Sequence, residues 1–296
     1  MPTSYSGTRL TLHTASYEAD VVSVGAGLAA LTHEGNALIH PHGDDGFAPA
    51  YMGKTLLPWP NRISGGRYRV GGSEQQLPIN DVEHHAALHG LAAWTDWEVA
   101  QREENIAVLR TFIAPRPGYP WALRAKARFE LSEGEGLTFT LSTTNVGEGA
   151  APYGAAAHPY ISFAGAPVDQ YEIEVPAFSA LEVDENLTPL GARPASELGV
   201  DFRRARVLGA SQLDHAFTDL PDGQWRLRVT DIGSGRAASI TSDTRWVQLY
   251  SGEEIGRRGL AVEPMTCAPD AFNNGMGLLW LEPGQTHTFR YGIKAD

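Results

Sequence analysis

The sequence predicts an all-β protein made of antiparallel sheets, and two observations carry that expectation. Short runs rich in β-branched and aromatic residues recur along the whole chain, separated by glycine- or proline-containing turns. Several runs also alternate in polarity. In Leu137-Thr138-Phe139-Thr140-Leu141 apolar and polar side chains take turns, the two-residue period of a strand buried on one face.

In chain order the predicted strands are Ala37–His40, Arg67–Val70, Trp97–Ala100, Ile106–Phe112, Leu123–Leu131, Leu137–Thr144, Trp225–Thr230, Ala238–Thr241, Trp246–Tyr250 and His287–Gly292. Glu34-Gly35-Asn36, Gly71-Gly72, Pro221-Asp222-Gly223 and Pro283-Gly284 supply turns. No long window carries a helical stripe. Many short strands at this spacing indicate a sandwich or barrel. No linker, low-complexity tract or repeat interrupts the chain, so residues 1–296 read as one large β domain. Glu182–Ala210, weak in periodicity, reads as its longest excursion.

Composition narrows the function. The formal net charge is −12, which leaves no basic footprint for nucleic acid. A single cysteine, Cys267, excludes an intrachain disulfide. The apolar run from Val21 to Leu31 is broken by Gly25 and Gly27 and is too short to span a bilayer. No secretory signal pattern is evident, so a cytoplasmic protein is expected.

Four motifs invite chemistry that the residues do not support. Val21-Val22-Ser23-Val24 before Gly25-Ala26-Gly27-Leu28-Ala29-Ala30 imitates a dinucleotide-binding turn. That turn needs a helix to open at once, whereas Glu34-Gly35-Asn36 soon breaks the chain, so a hairpin is expected instead. His40-Pro41-His42 and the pair His85 and His89 have spacings that metal ligands can use, but the second lacks the glutamate of a zincin helix. Both read better as hydrogen-bonding or surface histidines, and no metal is expected. Cys267 has no histidine placed beside it in sequence and reads as a small buried residue.

Five segments concentrate polar residues in rigid surroundings: Gly53–Ile63, containing Pro60-Asn61-Arg62; Asn80-Asp81 leading to Leu88-His89-Gly90; Tyr153–Tyr160, containing His158-Pro159; Leu213-Asp214-His215-Ala216-Phe217; and Leu260–Asn273, containing Val262-Glu263-Pro264-Met265. Glu263 stands out because its apolar neighbours should desolvate the carboxylate and raise its pKa, as a general base working near neutrality requires. The alternative is a buried ion pair, with Arg62 as partner. His158 reads equally as a core histidine.

Taken in order, these segments resemble the aldose 1-epimerase (galactose mutarotase-like) family. The first hairpin, Gly25–Leu38, and Gln248-Leu249-Tyr250-Ser251-Gly252 belong to the same series, and the resemblance covers nearly the whole chain. It implies a β-supersandwich and an isomerase that interconverts the α and β anomers of a hexose-like sugar. It further implies Glu263 as general base and His158 as general acid, with Asn61, Arg62, His89, Asp214 and Gln248 holding the sugar. Carboxylate and imidazolium would form the working pair. No cofactor is implied, and the partner is a small-molecule sugar. Monomer and homodimer stay equally open.

Two departures point to a less characterised bacterial branch. Gly90 is followed by Leu91-Ala92-Ala93-Trp94 where Gly-Gly is usual, and Leu57-Pro58-Trp59-Pro60 precedes Asn61-Arg62. The sugar's C4 and C6 substituents are therefore open. Arg116, Arg245, Arg257 and Arg258 could serve an anionic C6 group, although solvated surface charge is the preferred reading. Trp59, Trp94 or Trp121 could stack on the sugar. The rival readings are a glycoside hydrolase using Glu263 and Asp214, and a sugar-binding protein without catalysis.

Overall fold

The alternating runs become two large antiparallel sheets in the computed structural model, which describes residues 4–43 and 46–296. The larger sheet has nine strands, in the order Glu98–Arg102, Ile106–Ile113, Leu123–Ser132, Gly136–Asn145, Thr286–Ala295, Ala237–Ser242, Trp225–Asp231, Tyr171–Glu174 and Arg206–Val207. The second runs Pro189–Pro194, Ser179–Val183, Asp214–Thr218, Trp246–Tyr250, Leu260–Met265, Ala156–Ala157 and Thr55–Leu56, and Tyr160–Ile161 also pairs with Leu260–Met265. The only α-helix among the described residues is Ala271–Asn274.

Alternation explains the layering. Leu123–Ser132 is buried at every second residue, and Gly136–Asn145 repeats the pattern in register, with Phe129 opposite Phe139. Their inward side chains join one cluster with Val247, Leu249 and Val262 of the second sheet. Burying two such faces against each other makes a sandwich. Leu260–Met265 is buried at all six positions, so no alternation shows in its sequence.

The first hairpin forms as expected. Gly27–His33 is a strand, Glu34 and Gly35 both take positive φ (49° and 74°), and Asn36–Ala37 returns antiparallel. Two successive positive φ values are what a tight hairpin turn requires. Gly25 serves packing here, since a Cβ on it would lie 2.3 Å from the Ala93 carbonyl oxygen.

The excursion at Glu182–Ala210 is more ordered than expected. Ser179–Val183 and Pro189–Pro194 pair as a hairpin on the rim of the second sheet, and Arg206–Val207 edges the first. Pro189–Pro194 has no buried residue. An exposed edge strand needs no alternation, which is why its sequence looked irregular. The run at Ala37–His40 is only partly strand: pairing stops at Ala37, and Ile39 makes an isolated bridge to Ile161.

Gly90 holds the chain tightly beside the second sheet. Its φ is +74°, and a Cβ there would sit 2.2 Å from the Leu57 carbonyl oxygen, a backbone atom that cannot swing away. Gly90→Ala should therefore lower stability by about 2 kcal/mol or more, read as a fall in the denaturant midpoint at unchanged m-value. An unchanged midpoint would show that the loop can shift.

Candidate active site

The strand Leu260–Met265 organises the site. Glu263 lies directly opposite Gln248 on Trp246–Tyr250, and Gln248 lies opposite Ala216 on Asp214–Thr218. Asp214 is two residues from Ala216 and so shares its face, which brings Asp214, Gln248 and Glu263 to one side of the sheet. On the other flank Ala156 pairs with Met265 and Tyr160 with Ala261. Continuing that register across Pro159 sets His158 level with Glu263. His158 is fixed there by backbone bonds at both ends: its N–H donates to the Lys54 carbonyl at 3.0 Å, and its carbonyl accepts from Gly53 N–H at 2.9 Å.

The two side chains meet. His158 Nε2 is 3.3 Å from Glu263 Oε1, and both residues are nearly inaccessible, at 4% and 2% exposure. Burial drives each towards its neutral form. It pushes His158 down to about 3, and it lifts Glu263 well above the usual carboxylate range, helped by the neighbouring Asp214 charge. Burial thus favours the uncharged pair over a separated carboxylate and imidazolium, because neither charge is solvated at this depth. Glu263 Oε2 has no hydrogen-bond partner among the described residues.

A short ladder builds the adjoining wall. Arg62–Ser64 pairs with Ala86–Leu88, and just beyond its end Asn61 and His89 both adopt left-handed backbone, with φ of 52° and 61°. His89 N–H donates to the Asn61 carbonyl at 2.9 Å, and Asn61 N–H donates to His89 Nδ1 at 3.2 Å. Burial holds His89 neutral, with the positive surroundings adding to the effect. Since Nδ1 accepts, the ring proton is assigned to Nε2, which makes His89 a fixed donor. Ligand atoms of His89, His158 and Glu263 come within 4.8 Å of one another, a separation a metal ion could use. A protonated Nε2 offers no lone pair, however, so this donor set fits a hydroxyl acceptor better than a cation.

Arg62 is tied to Asp81, not to Glu263. Its Nε donates to Asp81 Oδ2 at 2.7 Å, which leaves the rest of the guanidinium fork without partners among the described residues. His84 bonds the same carboxylate, and together these contacts hold Asp81 below the usual carboxylate range despite its burial. Asp214 accepts a hydrogen bond from Gln248 Nε2 and is pushed up by burial. Gln248 stands behind Asp214, on a small pocket shared with Asn61 and Arg62, and does not line the main cleft. It positions the aspartate.

These residues surround a cleft of about 590 Å³ with His158, Glu263, His89 and Asp214 within and Tyr51, Trp94, Tyr250 and Glu254 among its lining. A hollow of about 890 Å³ lies over the outer face of the nine-stranded sheet, around Arg110, Arg124 and Lys126, but holds no buried acid–base pair. Of the three tryptophans considered, only Trp94 lines the cleft. Trp59 is buried against Tyr119 and Phe272, and Trp121 packs on Tyr119. None of Arg116, Arg245, Arg257 and Arg258 reaches it, and Arg257 is spent on Asp169 and Glu253. His85 is exposed, away from His89's buried ring, and burial pushes the Cys267 thiol up to about 12. Tyr51, Tyr250 and Glu254 were missed by sequence reasoning. Only their neighbourhood in the fold marks them, since Tyr51 sits in an irregular turn and Tyr250 ends an ordinary strand.

A carboxylate buried for chemistry rather than stability has a measurable signature. Glu263 prefers its protonated form when folded, so folding favours the protonated form, and the associated stability is lost as pH rises above the unfolded carboxylate range. Glu263→Gln keeps the shape without the charge. It should unfold about 2 °C or more above the parent at pH 8 and show little gain at pH 4, followed by calorimetry. A lower transition at both pH values would mean that the carboxylate stabilises the fold.

Known proteins resemble this chain over most of its length. The family model described as aldose 1-epimerase matches residues 8–294. The uncharacterized protein YihR of Escherichia coli K12 is 41% identical over 288 residues, spanning 97% of this chain and 93% of that one. Galactose mutarotase of Mus musculus is 27% identical over 218 residues, which cover 68% of this chain and 62% of the mouse protein. Among solved structures, the GalM/aldose epimerase homologue from C. elegans superposes with a TM-score of 0.88 at 20% identity, covering 98% of each chain. Galactose 1-epimerase from Lactobacillus acidophilus gives 0.84 at 19% identity, over 97% of this chain and 93% of that one. The sheets are those of galactose mutarotase-like sandwiches, and the chain belongs to the aldose 1-epimerase family of isomerases.

Proposed function

We propose that the protein interconverts the α and β anomers of a neutral aldohexose, with Glu263 and His158 exchanging the protons. The observation that carries this reading is the buried contact of 3.3 Å between His158 Nε2 and Glu263 Oε1 inside a cleft of sugar-binding size.

Ring opening needs a base at the anomeric hydroxyl and an acid at the ring oxygen. One proton shared between Oε1 and Nε2 provides both. When a sugar binds, its hydroxyls, the Arg62 fork and the His89 Nε2–H solvate charge, which makes the carboxylate–imidazolium tautomer accessible. Glu263 then takes the proton from the C1 hydroxyl, His158 delivers its proton to the ring oxygen, and the C1–O5 bond breaks. The pair is now uncharged, the state its burial favours, while the free aldehyde rotates about C1–C2. Reversing both transfers closes the other face. Asp214, held by Gln248, and Arg62, held by Asp81, grip hydroxyls and keep the pyranose from sliding.

The lining supports a neutral sugar. Asp81, Glu83, Asp214, Glu254 and Glu263 face the cleft with Arg62 as the one permanent cation. An anionic C6 group would meet that field unfavourably. A hydrolase built on Glu263 and Asp214 would leave the buried contact of His158 with Glu263 without a part in proton transfer.

Polarimetry of freshly dissolved α-D-glucose and α-D-galactose tests the reading. The parent should speed relaxation, while Glu263→Gln and His158→Asn should each lose roughly 10²–10⁴-fold. Equal relaxation with enzyme and buffer, for neutral and 6-phosphorylated hexoses alike, would refute it. The pH profile gives a second check. Because His158 is pushed down to about 3, a second proton reaches the pair only in acid, so kcat/KM should hold its plateau as pH falls through 6.5. An acid limb centred near 6.5 would mean that an ordinary imidazole carries the reaction.

A further inference from the structure

We infer that Lys54 is a positioning residue of the cleft, whose buried ammonium holds the Trp94 ring in place as part of the wall that meets the sugar. The inference rests on the mutarotase reading and adds to it a side chain that lines neither the cleft nor the Glu263–His158 contact.

Lys54 is a costly place for a charge. The residue is 1% exposed and makes no ion pair among the described residues. Burial pushes the amine down to about 8, so it still carries its proton at neutral pH. Its Nζ donates to the Val24 carbonyl at 2.7 Å and stands 5.3 Å from the centroid of the Trp94 ring. An apolar side chain of the same length would avoid the desolvation of an unpaired ammonium, so the charge itself does nothing for the fold. Its attraction is to the indole face, which draws a desolvated cation more strongly than any other aromatic ring.

The run Gly25-Ala26-Gly27, which imitates a dinucleotide-binding turn in the sequence, makes room for this side chain. A Cβ on Gly25 would lie 2.7 Å from Lys54 Cδ, and one on Gly27 would lie 3.6 Å from it. The same glycine ties the two partners together through the backbone. Its carbonyl accepts from Thr55 N–H at 2.9 Å, next to Lys54, and its N–H donates to the Thr95 carbonyl at 2.8 Å, next to Trp94.

Trp94 needs a hold of this kind. It lines the cleft, is 46% exposed, and has no hydrogen bond to fix its ring among the described residues. A ring this open changes rotamer within nanoseconds unless a contact favours one of them. An aromatic face suits the apolar C–H face of a pyranose, and a ring already in place loses less freedom when the sugar arrives. The hold therefore acts on affinity. Lys54 also touches His158, but through its carbonyl, which accepts from His158 N–H at 3.0 Å and is kept by any side-chain substitution.

Lys54→Met keeps the stem and removes the ammonium. It should raise KM for galactose and glucose roughly threefold to tenfold, with kcat within about twofold of the parent. Its denaturant midpoint should be unchanged or higher. Trp94→Leu should raise KM alike, and Lys54→Met should add nothing in that background. A fall in kcat at unchanged KM would put the effect on the backbone bond to His158. Additive effects in the double variant would separate Lys54 from Trp94, and a lowered midpoint or a failure to fold would make the lysine a structural residue. Each of these overturns the inference and leaves the mutarotase reading intact. If no sugar is turned over, that reading fails first, and the motion of the ring decides the hold alone. The indole N–H signal that disappears in Trp94→Leu should lose order in Lys54→Met, read as a lower NMR order parameter, while the other indoles stay as they were. An unchanged order parameter would overturn it.

Discussion

The buried contact between Glu263 and His158 is the constraint from which the rest of the site follows. At this depth a bare carboxylate or imidazolium is expensive, and burial moves both groups towards neutrality. In the proposed reaction that cost becomes symmetry: the uncharged pair would correspond to the open aldehyde and the charged pair to the closed ring, each half-reaction passing one proton in each direction. Water kept away from the pair also strengthens every dipole aimed at the sugar.

The sheet supplies most of that arrangement. Glu263, Gln248 and Asp214 sit on neighbouring strands whose register fixes them on one face, and His158 enters from the broken strand on the other side. Backbone ladders on both flanks hold these positions more firmly than side-chain packing could. Asp214 and Arg62 each have one dedicated partner, Gln248 and Asp81, that sets their direction and leaves their remaining hydrogen-bonding capacity free.

Legibility in the sequence divides along the same line. Long strands such as Leu123–Ser132 announce themselves because one face is buried and the other is wet, and alternation records that difference. Leu260–Met265 is buried on both faces, so its strand character was hidden, yet the same burial made Glu263 conspicuous as the one carboxylate among apolar neighbours. The ion pair with Arg62 was the alternative weighed for Glu263, and the structure gives Arg62 to Asp81 instead, a partner that sequence does not reveal. The burial of His158 and Gln248 was hidden for a related reason: desolvation is a property of the finished core, and a motif records residue identity but not depth.

The other side of the cleft is built differently. Ala50, Tyr51, Asn61, His89 and Leu187 all line it, and each takes a positive φ without being glycine. Five such residues around one cleft represent backbone strain that the surrounding fold must hold in place. At Asn61 and His89 the holding device is visible, as their reciprocal backbone bonds lock both residues and fix the histidine tautomer. Glu263 and Asp214 therefore rest on regular sheet, where position is dictated by ladder register, and this wall rests on strained turns, where position is dictated by whatever packs around them. The first kind of residue leaves a periodic trace in the sequence, and the second leaves almost none. Glu263 was consequently easier to single out in the sequence than the residues of this wall, Tyr51 and Leu187 among them.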